Sequence, residues 1–168
     1  MDFQFYLEKL LESEEFKEFK TEFPDAFLCS GFFTLDEEGT DNQQHLDYWA
    51  PSVKKLYSFK LNENPIVKVE TETNSDFIPK KIKDNIDFDL ERVESLIKEE
   101  MENQKIKGRV QKLIFSLQNT EEKDYLLSTV FLSGLGLIKA MYDIDEKKIT
   151  EFEKKSFFDM MKFIGKKD

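Results

Sequence analysis

Two stretches of this chain, ninety-three positions apart, share one pattern of aromatic, lysine and apolar residues. The first runs from Leu46 to Leu61 and the second from Ala140 to Glu153. The residues that coincide are Trp49 with Tyr142, Lys54-Lys55 with Lys147-Lys148, Leu56 with Ile149, and Phe59 with Phe152. Each copy reads as an aromatic strand, a polar turn and a returning strand with alternating apolar residues. Two hairpins of one design predict a duplicated domain.

A helical segment is expected before each group of strands. Apolar residues at helical spacing begin at Phe3 and stop at Pro24, with Ser13 as the expected cap of a second helical stretch. A later helix is expected from Leu90 to Lys105, ended by Gly108. Strand-like runs follow both segments, at 26–35, 44–50 and 56–61 and then at 110–117, 125–132, 137–144 and 148–153.

This order of elements predicts an α+β fold made of two helix-plus-antiparallel-meander repeats, with each helix packed on a sheet. The expected segments are a first repeat at 1–64, a linker at 65–87 with a possible edge strand at Val67–Thr71, a second repeat at 88–155 and an apolar C-terminal tail at 156–168. Seventeen phenylalanines supply the core of such a fold.

Charge and composition argue against several classes of partner. The net charge is −10, and arginine occurs only at Arg92 and Arg109 against 23 lysines, which disfavours phosphate recognition and a nucleic-acid partner. No apolar run approaches the length of a membrane span, and the opening residues lack the pattern of a secretory signal. Because Cys29 is the only cysteine, no intramolecular disulfide can form. We therefore expect a cytoplasmic protein.

The residue types that carry most enzyme chemistry are scarce. His45 is the only histidine, and it reads as a solvent-facing strand residue, while Cys29 reads as a small buried apolar residue. The acidic turn from Asp36 to Asp41 lacks the pattern of a calcium loop, and the glycines fit no phosphate-binding motif. We expect no catalytic residue, metal or cofactor. An enzyme based on carboxylates alone would require two buried carboxyl groups with widely separated pKa values.

Seven residues are candidates for contact with a protein partner. They are aromatic or apolar residues of the first hairpin and the tail: Trp49, Tyr57, Phe157, Phe158, Met160, Met161 and Phe163. For the two hairpin residues the alternative is packing in the core. For the tail the alternative is docking on the body of the protein, because exposed apolar patches of that size are uncommon on monomers.

The repeated helix and meander, with a Lys-Lys-Leu or Lys-Lys-Ile return, resembles the PepSY-like, cystatin-related α+β modules. The stretches that resemble a group of uncharacterised archaeal proteins of this kind are Glu15 to Lys20, Pro24 to Leu28, Asp47 to Pro51 and Lys112 to Asn119. The resemblance spans most of the chain and carries no catalytic residue across. PepSY-type modules are associated with restraining peptidases or binding partners, so the resemblance implies a binding role.

The sequence thus favours a non-enzymatic module that binds a protein or peptide through a sheet edge or the C-terminal tail. A second copy of the chain is one candidate partner, which would give a homo-oligomer. Strand addition at an edge uses backbone groups and so leaves no sequence motif. The alternative is a small-molecule or lipid binder that uses an apolar cavity between helix and sheet.

Overall fold

The computed structural model describes residues 2–74 and 76–156 of the chain. The helices are α1 Phe3–Glu12, α2 Glu14–Glu22 and α3 Leu90–Asn103. The strands are β1 Phe27–Asp36, β2 Gln44–Ala50, β3 Lys55–Lys60, β4 Val67–Thr71, β5 Val110–Thr120, β6 Lys123–Leu132, β7 Gly136–Asp143 and β8 Lys148–Ser156. All eight strands form one antiparallel sheet in the order β4-β3-β2-β1-β5-β6-β7-β8.

The expectation of two helix-plus-meander repeats, with each helix packed on a sheet, is wrong. Strand β1 pairs with β5 from Gly31–Leu117 to Asp36–Lys112, so the strands that follow α2 and α3 join into a single sheet. All three helices contribute to one apolar cluster. The fold is therefore one sheet-dominated unit with three short helices on one face.

The two similar hairpins also occupy different places in this sheet. One is β2–β3 and the other is β7–β8, and each preserves its aligned pair, Trp49–Leu56 and Tyr142–Ile149. The two aromatic residues, however, face opposite sides. Tyr142 belongs to the core under the helices, whereas Trp49 packs on the other face against Phe77. A shared sequence pattern has produced two hairpins that are not structural equivalents.

Side-chain caps define where the helices begin. The Asp2 carboxylate accepts a hydrogen bond from the Gln4 backbone N–H at the start of α1. Ser13 accepts one from Phe16 at the start of α2, as its position in the sequence predicts, and Asp89 accepts one from Glu91 at the start of α3. These caps satisfy backbone donors that the first turn of each helix leaves unpaired.

The core lies between the helices and one face of the sheet. Its largest fully buried side chains are phenylalanines from α1, α2 and three strands, namely Phe3, Phe19, Phe33, Phe59 and Phe115. Buried residues recur at every second position along β6, and along β5 from Leu113 to Leu117, which directs them to the same face. None of the helices in the described residues combines the length and apolar content that crossing a membrane requires.

The opposite side of the sheet, which we call the open face, carries no helix among the described residues. Part of it lies beneath the segment 76–82, which follows β4 and leads toward α3 and which we call the crossing segment. In this segment Phe77 packs edge-to-face on Trp49, with ring centroids 6.1 Å apart. The backbone N–H of Ile82 then donates to the Leu28 carbonyl at 2.8 Å, which fixes the end of the segment beside β1.

Candidate binding surfaces

Strand β4 is one edge of the sheet, and it presents apolar side chains there. It pairs with β3 on one side, and no strand of the described residues pairs with its outer side. Val67 and Val69 lie opposite Lys60 and Ser58 on the open face, and they are 36% and 37% exposed. On the helix side, the Lys68 ammonium lies over the rings of the core.

Strand β8, the other edge, is longer and carries charges. It has nine residues, and Glu151, Glu153 and Lys155 alternate on its open-face side. Its register with β7 shifts between Met141 and Tyr142, which indicates a β-bulge. Charged side chains and bulges are features by which natural edge strands avoid pairing with other chains.

The sequence-predicted contact residues fall into two groups. Trp49 is 6% exposed and packs on Phe77, while Tyr57 is 7% exposed and packs against Phe19 and Phe23 on the helix side. Both rings therefore contact residues of the protein itself, as the packing alternative expects. The tail candidates Phe157, Phe158, Met160, Met161 and Phe163 lie outside the described residues.

A polar cluster on the open face centres on the buried carboxylate of Asp47. This carboxylate accepts hydrogen bonds from the hydroxyls of Ser30 at 2.7 Å and Ser58 at 2.5 Å, and it lies 3.0 Å from His45 Nδ1. Burial raises the pKa of Asp47, but the hydrogen bonds from His45 and the two serines outweigh burial and hold the pKa below its ordinary value. The His45 ring stacks on Phe32, with centroids 5.1 Å apart.

This cluster does not have the geometry of a nucleophile triad. A triad requires the serine hydroxyl to donate to the histidine, whereas both serine hydroxyls here donate to Asp47. The nearby Cys29 thiol is also unsuited to attack, because burial, followed by the charge of Asp47, raises its pKa to about 12. The cluster therefore ties three neighbouring strands together rather than activating a hydroxyl or thiol.

One pair of carboxyl groups has pKa values displaced in opposite directions. The pKa of Glu94 is raised by burial and by Glu37, and the pKa of Glu37 is lowered by its hydrogen bond with Glu94. Lys98 lies 2.7 Å from Glu94 and 3.5 Å from Glu37. The Glu37 side chain is 39% exposed, so the pair is not the buried pair that the carboxylate hypothesis requires. Within the described ranges, no cluster of three His, Cys, Asp or Glu side chains could hold a metal ion.

Sequence reasoning did not find the Asp47 cluster. Ser30, Asp47 and Ser58 come from three strands, and their contacts depend on the pairing registers of β1, β2 and β3. A usable signal was a polar residue between apolar or small neighbours inside each of these strands. Two concave regions lie on opposite faces of the sheet, and the first adjoins the cluster. One is a cavity of about 490 Å³ between the crossing segment and the open face, and the other lies between the helices and the sheet.

The comparisons with known proteins support the fold and give no family. No family model matches the sequence, and no curated protein is similar to it. The PepSY-like resemblance therefore stays a prediction. The structure is similar to the crystal structure of a putative lipoprotein from Clostridium difficile 630, with a TM-score of 0.56 and 12% sequence identity over 84% of this chain and 91% of that chain. At that identity the likeness shows a shared fold alone.

Proposed function

We propose that this protein is a non-enzymatic module that binds an extended, basic segment of a partner protein by strand addition to β4. The observation that carries the proposal is the outer edge of β4, where two exposed valines flank backbone groups that no described strand occupies. An antiparallel edge of this kind offers hydrogen bonds to any extended chain. The proposal needs no catalytic group.

The contrast with β8 supports the choice of edge. Glu151, Glu153 and Lys155 would place charges beside an incoming strand, and the bulge interrupts the regular spacing of the backbone groups. Strand β4 has an uninterrupted register with β3 from Leu56–Thr71 to Lys60–Val67. An added strand at β4 would therefore continue a regular ladder.

The chemistry of β4 also describes the segment that would fit. Side chains at alternate positions of the added strand would pack against Val67 and Val69, so these positions should be apolar. The net charge of −10 would accelerate association with a basic chain. Strand β4 has five residues, about 17 Å of extended chain, so a segment of about seven residues would cover it.

A fluorescently labelled peptide of sequence Lys-Val-Lys-Val-Lys-Val-Lys tests the proposal by anisotropy and by amide chemical shifts in NMR spectra. We expect saturable binding that shifts the amides of β4. The double variant Val67→Lys/Val69→Lys should weaken binding by about tenfold or more, because like charges then face the peptide. A peptide N-methylated at alternate residues should lose binding, because it lacks backbone donors.

A matched control separates edge pairing from general attraction. Glu151→Gln/Glu153→Gln raises the net charge by the same amount as the β4 double variant, but at the opposite edge. We expect it to leave the β4 shifts in place and to weaken binding only slightly. Equal loss in both double variants, or binding of the N-methylated peptide, would show charge attraction without strand addition and would refute the proposal.

A cytoplasmic location completes the proposal. It is supported by the single cysteine, Cys29, which is buried and leaves no intramolecular disulfide. The similar solved structure is that of a putative lipoprotein, so location is tested separately. Fractionation of the source cells should recover the protein with soluble proteins, and recovery in washed membranes would contradict this part.

A further inference from the structure

A second concave region lies on the helix side of the sheet, away from β4. This helix-side cavity, of about 500 Å³, is bounded by α1, α2, the turn before β1 and residues 81–86. Its walls are mainly apolar and include Leu7, Phe16, Leu28 and Ile86. The volume lies in the range of small-molecule sites, which are typically apolar cavities with a few polar groups.

One of those polar groups is the hydroxyl of Tyr48. The Tyr48 side chain lines this cavity and is 6% exposed, and its ring is held edge-to-face by Phe16 at a centroid distance of 4.9 Å. The hydroxyl has no hydrogen-bond partner among the described residues. It is not sealed in the core, as the unpartnered hydroxyl of Ser128 is. Because this hydroxyl is open to the cavity and has no partner among the described residues, it is a donor available to a ligand.

The charges at the cavity mouth indicate the class of ligand. The Lys20 ammonium donates to two backbone carbonyls, at 3.2 and 2.8 Å, Lys81 pairs with Asp84 at 3.1 Å, and Lys83 pairs with Asp145 at 2.8 Å. Two of these three lysines are paired with carboxylates, and the ammonium of the third is engaged by backbone carbonyls, which disfavours an anionic head group. Burial, and then the negative charge of Asp84, raises the pKa of Tyr48, so its hydroxyl stays a neutral donor and an anion beside it is disfavoured.

We propose that the helix-side cavity binds a small, neutral, largely apolar molecule whose carbonyl oxygen accepts a hydrogen bond from Tyr48. The apolar walls would take the body of the molecule, and Tyr48 would fix the position of its one acceptor. The site uses no group of the β4 edge. Failure of one proposal therefore leaves the other standing.

The neutral naphthyl ketone Prodan is a suitable probe, because its emission reports both an apolar environment and a hydrogen bond to its carbonyl. We expect saturable binding to the full chain with a blue-shifted emission. Tyr48→Phe, which removes only the hydroxyl, should weaken binding by about three- to tenfold. Since this hydroxyl has no partner, the variant should keep the melting temperature of the parent protein. The β4 variant Val67→Lys/Val69→Lys should bind Prodan as the parent does.

Two further variants test whether Prodan binds in the helix-side cavity. Tyr142→Phe removes a hydroxyl from a similarly buried tyrosine that does not line this cavity, and it should leave the affinity unchanged. Leu11→Trp adds bulk at a 45% exposed position on the rim and should abolish binding. Absence of Prodan binding, equal affinity in Tyr48→Phe and the parent, or unchanged binding in Leu11→Trp would each overturn the proposal.

Discussion

The helix-covered face and the open face of the same eight strands are filled in different ways. Under the helices, aromatic rings pack edge to face, as Phe19 does against Phe59 and Tyr57 at 5.1 Å each. On the open face, a hydrogen-bonded carboxylate, Asp47, replaces such packing at the centre of β2. Apolar burial is non-directional and scales with area, whereas the Asp47 contacts depend on individual donors. We therefore expect the helix-covered face to contribute most of the free energy of unfolding and substitutions on the open face to cost less.

The largest test of this contrast is Phe19→Ala. The Phe19 side chain is fully buried among rings of α2, β2 and β3, so its loss leaves a cavity that the sheet cannot close. We expect the free energy of unfolding to fall by about 3 to 5 kcal/mol, measured by urea denaturation.

Phe131→Ala is the matched control on the open face. Phe131 is 39% exposed and lies in β6, so the same substitution removes less buried area and leaves no closed cavity. We expect it to cost about 1 kcal/mol or less. A loss in Phe131→Ala as large as that in Phe19→Ala would show that the open face is a second core.

The second test is Asp47→Asn. Asparagine keeps the size of the side chain but loses the charge and half of the acceptor capacity that Ser30, Ser58 and His45 use. We expect a loss of about 1 to 3 kcal/mol near neutral pH. An unchanged free energy of unfolding would mean that the polar cluster contributes no net stability.

The lowered pKa of Asp47 gives this variant a pH signature. Because its folded-state pKa lies below its unfolded value, the carboxylate contributes stability above about pH 4, and this contribution is lost as pH falls through the folded value. The difference in unfolding free energy between the parent and Asp47→Asn should therefore shrink on acidification from about pH 5. A difference that stays constant down to about pH 2 would contradict the assignment.

Much of the local structure follows from the sequence, but the neighbours of each strand do not. Ser13 and Leu90 predicted helix starts because capping and helical spacing are local, and the hairpin strands followed from alternation. The pairing of β1 with β5 joins residues such as Gly31 and Leu117 that no local pattern relates. Trp49 and Tyr142 were aligned as equivalents, yet alternation places them on opposite faces, since the face depends on register.

For the binding surfaces, too, the sequence predicts local elements but not which elements become neighbours. Alternating valines predicted an edge strand at β4, but its free outer side depends on the strand order of the whole sheet. The Tyr48 hydroxyl could not be predicted as unpartnered, because its surroundings come from α2, β2 and the segment before α3. What the sequence leaves open is therefore the assembly of the sites, while their residue types and local elements are visible in it.

The smallest expected change in unfolding free energy is at Lys68, where the helix-covered face meets strand β4. The Lys68 ammonium lies 5.9 Å from the Phe19 ring centroid and 5.7 Å from that of Tyr57. It therefore makes a cation–π contact with both rings at the edge of the aromatic cluster. We expect Lys68→Ala to lower the unfolding free energy by about 0.5 to 1 kcal/mol, and Lys60→Ala, whose side chain lies on the open face, to have less effect. Lys68→Met separates the contribution of the aliphatic stem from that of the charge, because it keeps an apolar stem over the rings and removes the charge. If it restores the parent stability, burial of the stem accounts for the contact, and if it matches Lys68→Ala, the charge does.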